Sequence, residues 1–241
     1  KELSRPYEMI DRVPTPDGSL VAMVHCNNCT SDLNAWVGLF REYQELLGVE
    51  VDMNEVYGKL YHHALTGDAD CGGLVSFNYI SGEPVTGLTE GRPLFVRSAT
   101  DAFNLANFMR THLYASVGVL KIGNDILFNE EKVQVDRITG HGGLFKTKGV
   151  GQRVLAAALH SPISVMETAG EGGAWGIALL GAYLVKGQGR SLADFLDNDV
   201  FAGYAGEEIA PTPEEVAGFN AYIENYKAAL PVEQAAVNCL K

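Results

Sequence analysis

The chain has 241 residues, 46% of them hydrophobic and 20% charged, and carries a net charge of −12. That size supports one large domain or two small ones around an ordinary buried core. The acidic balance argues against nonspecific nucleic-acid binding, and no apolar run reaches the ~18 residues that suggest a membrane span, so neither nucleic acid nor membrane is an expected partner.

With no initiator Met and no signal-peptide pattern at Lys1, the chain reads as a domain excised from a longer protein. Residues 7–16 and 19–28 flank a Pro-Asp-Gly turn and predict a β-hairpin. From 30 to 48 the spacing of Leu33, Trp36, Val37 and Phe40 predicts a helix, with Thr30, Ser31 and Asp32 as candidate caps and Gly48 as its stop. A second helix is expected over 52–67. Leu74, Val75 and Phe77 suggest a short strand, and the Gly- and Pro-rich stretch 82–95 has no periodicity. A long helix follows over about 100–128, with Asp101 as a plausible cap. Strand 133–140, helix 149–160, strand 162–167 and helix 172–185 then alternate. Residues 186–213 read as polar and irregular, and a terminal helix begins near Pro213 with Glu214 and Glu215 in its first turn. An antiparallel start followed by alternating helices and strands predicts an α/β domain.

Four cysteines are too few for a disulfide scaffold of this size. Cys26 and Cys29 form a CxxC, but Cys71 and Cys239 stand alone and offer no second pair for zinc. Small buried thiols in a reducing cytoplasm are the expectation.

The most informative stretch is 140-GHGGLFKTKGVGQRVLAAALHS-161. It is not a Walker loop, because Lys146 and Lys148 precede Gly149 where that motif has GK in the opposite order. It is not GxGxxG either, since Phe145 stands at the third glycine. A strand end, clustered glycines and a helix start nevertheless offer free N–H groups and a backbone that a ligand can approach. The alternative is a tight turn with surface lysines. A second cluster, 168-TAGEGGAWGIALLGAYL-184, repeats the pattern and leads into a helix of small residues.

Three motifs together resemble the C-terminal domain of the FGGY family of carbohydrate kinases. They are 79-YISGE-83, 139-TGHGG-143 with Gln152 and Ala156 in the next helix, and 171-EGGAWGIALLGA-182, in order over about residues 7–185. The resemblance implies an actin-like ATPase (ribonuclease H-like) α/β domain, a mixed sheet with helices on both faces. It implies ATP or ADP as ligand, with Mg2+ bridging the phosphates. Gly142 and Gly143 would lie against adenosine, Lys146 would stand where relatives reach the adenine or ribose, and Ser31 would stand near the phosphates. A bulkier residue at Gly143 would fill the space for adenosine and strain a backbone that needs positive φ. The catalytic Asp and the Gly-Thr phosphate motif of relatives precede the region seen here. The resemblance thus implies no catalytic residue in this chain, a sugar bound by an N-terminal domain outside it, and no turnover alone. Ala35, where glycerol kinases carry Gln before the Trp, points towards a pentulose such as xylulose or ribulose. Homodimerisation stays open. So do two rival readings: a noncatalytic actin-like nucleotide-binding module, and another transferase or hydrolase of the same superfamily.

Other polar residues have two readings each. Glu83 is a candidate general base, but a loop-stabilising acceptor of backbone N–H bonds is favoured. His62-His63 reads as exposed helix surface and Asp68 and Asp70 as turn formers. His141 lines a cleft or sits in a plain loop. Of Asn27, Asn28 and Asn34, one is expected to cap a helix and the others to line the cleft near phosphates.

Overall fold

The structure is a computed structural model, and it describes residues 2–166, 172–203 and 206–240. The N-terminal hairpin pairs β1 (Ile10–Pro14) with β2 (Leu20–Val24), Ile10 opposite Val24 and Pro14 opposite Leu20. Two helices follow, α1 (Ser31–Leu46) and α2 (Met53–Ala64). Asp52 caps α2 by accepting from Asn54 N–H at 2.9 Å. Thr30 stands at the cap of α1 without a side-chain bond.

Strand β3 (Val75–Phe77) is wholly buried and pairs antiparallel with β4 (Leu94–Val96), which interrupts the stretch expected to be irregular. The centre of the core is α3 (Leu105–Asp125), buried over most of its length. Its cap is Asn104, which accepts from Asn107 N–H at 2.9 Å; Asp101 instead accepts from Ser98 Oγ–H at 2.7 Å in the preceding turn. A π-helical turn, Ile126–Glu130, prolongs it.

Strand β5 (Ile138–Gly140), helix α4 (Val150–Leu159) and strand β6 (Ile163–Val165) form the expected βαβ unit, β5 and β6 being parallel in one sheet, but the strand expected over 133–140 is confined to its last three residues. Then come α5 (Gly172–Lys186), the short α6 (Leu192–Phe195) and β7 (Glu207–Ile209). Residues 186–213 are therefore not wholly irregular. β7 joins the other side of β6 antiparallel and makes the sheet mixed. The strands form no single large sheet; among the described residues they pair as two, two and three. The β6–α5 connection, 167–171, which holds the start of the second glycine cluster, lies outside the described residues.

The terminal helix α7 (Pro213–Cys239) starts with a reciprocal capping box. Thr212 Oγ1 accepts from Glu215 N–H at 3.2 Å, and Glu215 Oε2 accepts from Thr212 N–H at 2.8 Å. Its buried residues Phe219, Tyr222, Ile223 and Tyr226 complete the core above α3. Close approach depends on glycines at both contacts. A Cβ at Gly123 of α3 would meet Val24 of the hairpin at 2.3 Å, and a Cβ at Gly218 of α7 would meet the Ala69 carbonyl oxygen at 2.3 Å. The second obstacle is backbone and cannot rotate away. Gly218→Ala should therefore lower the unfolding free energy by about 1–3 kcal/mol through forced separation of α7 from the core. Urea unfolding checks this; an unchanged midpoint would mean that α7 floats on the core instead of packing into it.

Candidate functional site: a cleft between two helices and a glycine turn

The glycines of the central cluster serve different ends. A Cβ at Gly140 would meet the Phe145 ring at 2.5 Å, and one at Gly151 would meet the Leu144 carbonyl oxygen at 2.7 Å. Gly142 and Gly149 have φ of 109° and 80°, which disfavours any side chain. Gly143 has neither excuse: its φ is not positive and its Cβ would meet nothing within 4 Å. The expected strain belongs to Gly142, not Gly143. A side chain at Gly143 would meet open space, and Gly143 itself lines a cleft.

The cleft has a volume of about 420 Å3. Thr30 and Asn34 from the start of α1 form one wall, Tyr57, Gly58 and His62 of α2 another, and Gly143, Leu144 and Lys146–Lys148 the third. Of the four residues expected at a ligand site, the structure brings Gly143 and Lys146 into this lining. Ser31 and Gly142 flank it without lining it; their neighbours Thr30 and Gly143 take that place. Lys148 is anchored by Glu207 of β7 at 2.9 Å. Gln152 and Ala156, the helix part of the motif, are buried; Gln152 Nε2–H donates to the Ile163 and Glu207 carbonyl oxygens at 3.2 and 2.8 Å and ties α4 to the sheet. His141 lies on the same turn and packs beside Gly172, where a Cβ would come within 3.0 Å of its ring. The two glycine clusters thus meet.

The α2 wall was not foreseen. Its signal in the sequence is Tyr57, Gly58, Tyr61 and His62, spaced to share a helix side. Tyr57 Oη–H donates to Asn34 Oδ1 at 3.0 Å and locks α2 to α1.

The start of α1 is fixed from behind by a buried carboxylate. Glu83 is fully buried, and its Oε2 accepts from the backbone N–H of Asn27 at 3.0 Å, of Asn28 at 3.2 Å and from Asn28 Nδ2–H at 3.3 Å. Asn28 Oδ1 in turn accepts from the N–H of Ile80 and Ser81 at 3.0 and 3.1 Å. Glu83 is thus the loop-stabilising acceptor. None of the three asparagines caps α1: Asn27 and Asn28 splice the loop to 79-YISGE-83, and Asn34 lines the cleft. Burial pushes the Glu83 carboxyl pKa up, opposed by the three donors, and its Oε1 has no partner. A second buried group sits below α1. Asp32 Oδ2 accepts from Trp36 Nε1–H at 3.2 Å and lies 3.8 Å from His112 Nδ1. Burial among Trp36, Phe95 and Phe108 lowers the His112 pKa to about 3, so the ring is neutral there.

Of the four thiols expected to be buried only Cys71 is; Cys26 is half-buried, which pushes its thiol to about 12, while Cys29 and Cys239 are exposed. Asp70 accepts from Gly72 N–H at 2.9 Å as a turn former, whereas the Asp68 carboxylate accepts from Asn107 Nδ2–H at 2.8 Å and ties its turn to α3. Among the described residues no three His, Cys, Asp or Glu side chains converge as a metal site, and no helix is long and apolar enough to cross a membrane.

Comparison with known proteins places this geometry. The model of the FGGY family of carbohydrate kinases, C-terminal domain, matches residues 2–185. No curated protein matches the sequence. Among solved structures, the ligand-bound xylulose kinase from Lactobacillus acidophilus is 17% identical with a TM-score of 0.69, covering 98% of this chain and 45% of its own. The xylulose kinase from Rhodospirillum rubrum is 17% identical with a TM-score of 0.61, over 86% of this chain and 38% of that one. Plasmodium falciparum glycerol kinase with ADP is 14% identical with a TM-score of 0.55, over 82% of this chain and 37% of that one. The chain therefore spans less than half the length of these proteins, and at such identities they share its fold.

The raised pKa of Glu83 has a definite sign. The folded state holds the proton more tightly than the unfolded chain, so the contribution to stability is full below the ordinary value of 4.5 and is lost as pH rises through the folded value. Wild type should lose stability relative to Glu83→Gln on going from acid to neutral pH, and Glu83→Ala, which removes the acceptor, should cost about 1.5–3 kcal/mol. Urea midpoints across pH read both; a wild-type-to-Gln difference independent of pH contradicts the assignment.

Proposed function

The chain belongs to the FGGY family of carbohydrate kinases, matching its C-terminal domain, and from that premise we propose that it is the ATP-binding half of a kinase that transfers the γ-phosphate of ATP to a sugar hydroxyl. The observation that carries this reading is Gly143: a glycine required by neither backbone nor packing, opening onto a cleft shared with the start of α1. The flat face of adenosine can lie against such a turn. The actin-like (ribonuclease H-like) reading of the fold belongs with this proposal, as do the roles of Gly142, Gly143, Lys146 and Ser31 around the nucleotide.

The other half of the enzyme is an N-terminal sugar-binding domain outside this chain. Two features support it. The solved kinases are more than twice as long as the part this chain covers. And α5 is apolar on every side yet buries no residue, with Ile177, Leu184 and Val185 exposed at 68%, 85% and 82%. A helix hydrophobic all round belongs in an interior, and this proposal assigns its cover to the N-terminal domain. A pentulose such as xylulose or ribulose is the proposed acceptor, supported by the xylulose kinase neighbours and by Ala35 before Trp36.

In the whole enzyme, phosphoryl transfer needs positioning and charge neutralisation more than covalent chemistry. This chain contributes positioning: the Glu83 lock sets the start of α1, the glycine turn receives the nucleoside, and the buried Gln152 fixes the helix behind the turn. Mg2+ belongs to this proposal as the ion that would neutralise charge on the nucleotide phosphates.

The isolated chain should bind ATP or ADP with a Kd between micromolar and millimolar, about −4 to −8 kcal/mol, and should not phosphorylate a pentulose. Gly143→Val should abolish binding and leave the thermal midpoint unchanged, because its branches enter open space. Calorimetry and a thermal melt decide; wild-type affinity in Gly143→Val would reduce the turn to a connector, and robust pentulose turnover would refute the division of labour.

A further inference from the structure

A cavity of about 270 Å3 lies where the end of α3 meets the end of α4 and the start of β5. The cleft borders the turn before α4, so the two spaces stand at opposite ends of that ten-residue helix, about 15 Å apart along it. Lys121 and Asp125 of α3 line the cavity. The Lys121 side chain is 9% exposed, and its one hydrogen bond among the described residues goes to Asp125 Oδ1 at 2.6 Å. Two N–H donors of a buried ammonium are left over. Asp125 Oδ1 also accepts from Asn129 Nδ2–H at 3.1 Å, while Oδ2 accepts from no described residue. The fold does not call for this pair, because apolar residues of similar volume pack such a site as well or better. The Ser161 hydroxyl lines the cavity without a hydrogen bond among the described residues. His160 lines it too, closing α4 at a φ of 54°, where glycine is the unstrained choice. Its Nε2 lies 2.9 Å from Asn220 Oδ1, so Nε2 carries the hydrogen and Nδ1 of the neutral ring is an acceptor. Phe128 and Ile138 supply apolar wall, Phe128 from the π-helical turn that prolongs α3, and such turns are frequent at functional sites.

We propose that this cavity is a second small-molecule site and that its ligand is an uncharged polyol of sugar size. A hydroxyl accepts from an ammonium and donates to a carboxylate at once, so the Lys121–Asp125 pair matches one hydroxyl and leaves no net charge to hold an ion. Ser161 and His160 meet further hydroxyls, and the C–H face of the ligand packs on Phe128. The volume equals about nine waters at ~30 Å3 each, which suits a five-carbon polyol. The inference does not rest on the nucleotide reading.

The test is amide chemical-shift mapping of the 15N-labelled chain titrated with xylitol and, separately, with inorganic phosphate. Xylitol should give saturable shifts at Lys121, Asp125, His160 and Ser161, with a Kd in about the millimolar range, and leave Asn34 and Gly143 unmoved. The double variant Lys121→Met/Asp125→Leu should bind xylitol about tenfold more weakly, with its thermal midpoint at or above wild type. A pair that serves only the fold would lower the midpoint and leave binding unchanged. If the double variant does not fold, Ser161→Ala takes its place, with an unchanged midpoint and about threefold weaker binding expected. Xylitol shifts that are absent, or spread over the surface without saturating, overturn the site, as does wild-type affinity in the variant that folds. Saturable shifts at these residues with phosphate and not with xylitol overturn the polyol assignment.

Discussion

The α1 wall of the cleft depends on one buried carboxylate. Glu83 gathers three N–H donors from the loop that enters α1, and Asn28 returns two acceptor bonds to the strand exit at Ile80 and Ser81. The exchange is costly to break, because the buried Asn28 donors and the Glu83 carboxylate would be left unpaired away from water. It converts 79-YISGE-83 from a local turn into the part that sets where α1 begins. The position of Thr30 and Asn34 in the cleft wall follows from it.

The same region is held from the other side by the C-terminal helix. Tyr226 Oη–H donates to Tyr79 Oη at 2.8 Å, and Arg92 N–H donates to Glu233 Oε1 at 2.6 Å. Both partners on α7 lie beyond the residues matched by the family model, which end at 185. The signature tyrosine therefore has a structural task, anchoring the loop to a helix distant in sequence. The cleft itself sits among three elements that are each fixed elsewhere: α1 by Glu83, α2 by α1 and α3, and the glycine turn by Gln152 and the mixed sheet. Such a site is preorganised in its walls.

Much of this architecture was legible in the sequence, because periodicity and turn chemistry are local signals. The hairpin, the βαβ unit and the terminal helix were all readable from alternation, glycines and caps. The boundary errors have local causes too: Asp101 looked like a cap but is used by the turn at Ser98, and Asn104 does the capping. What escaped reading depends on long-range pairing. β4 and β7 are three-residue strands whose existence is decided by partners far along the chain. The α2 wall escaped for another reason. Gly58 and His62 look like surface until a glycine turn from elsewhere in the chain is placed opposite them. In the sequence the motif glycines form one group, and only the structure separates Gly143, which faces space, from Gly140 and Gly151, which face packed atoms.

The central claim is that a nucleotide occupies the cleft between α1, α2 and the glycine turn. A second cavity of about 270 Å3, lined by Lys121, Asp125, Ile138 and His160 among others, gives an internal comparison. The direct measurement is amide chemical-shift mapping of the 15N-labelled chain titrated with ADP. The account predicts saturable shifts at Asn34, Gly58, His62 and Gly143, with Lys121 and His160 unmoved. Shifts confined to the Lys121–His160 cavity, or none at saturating ADP, would contradict it.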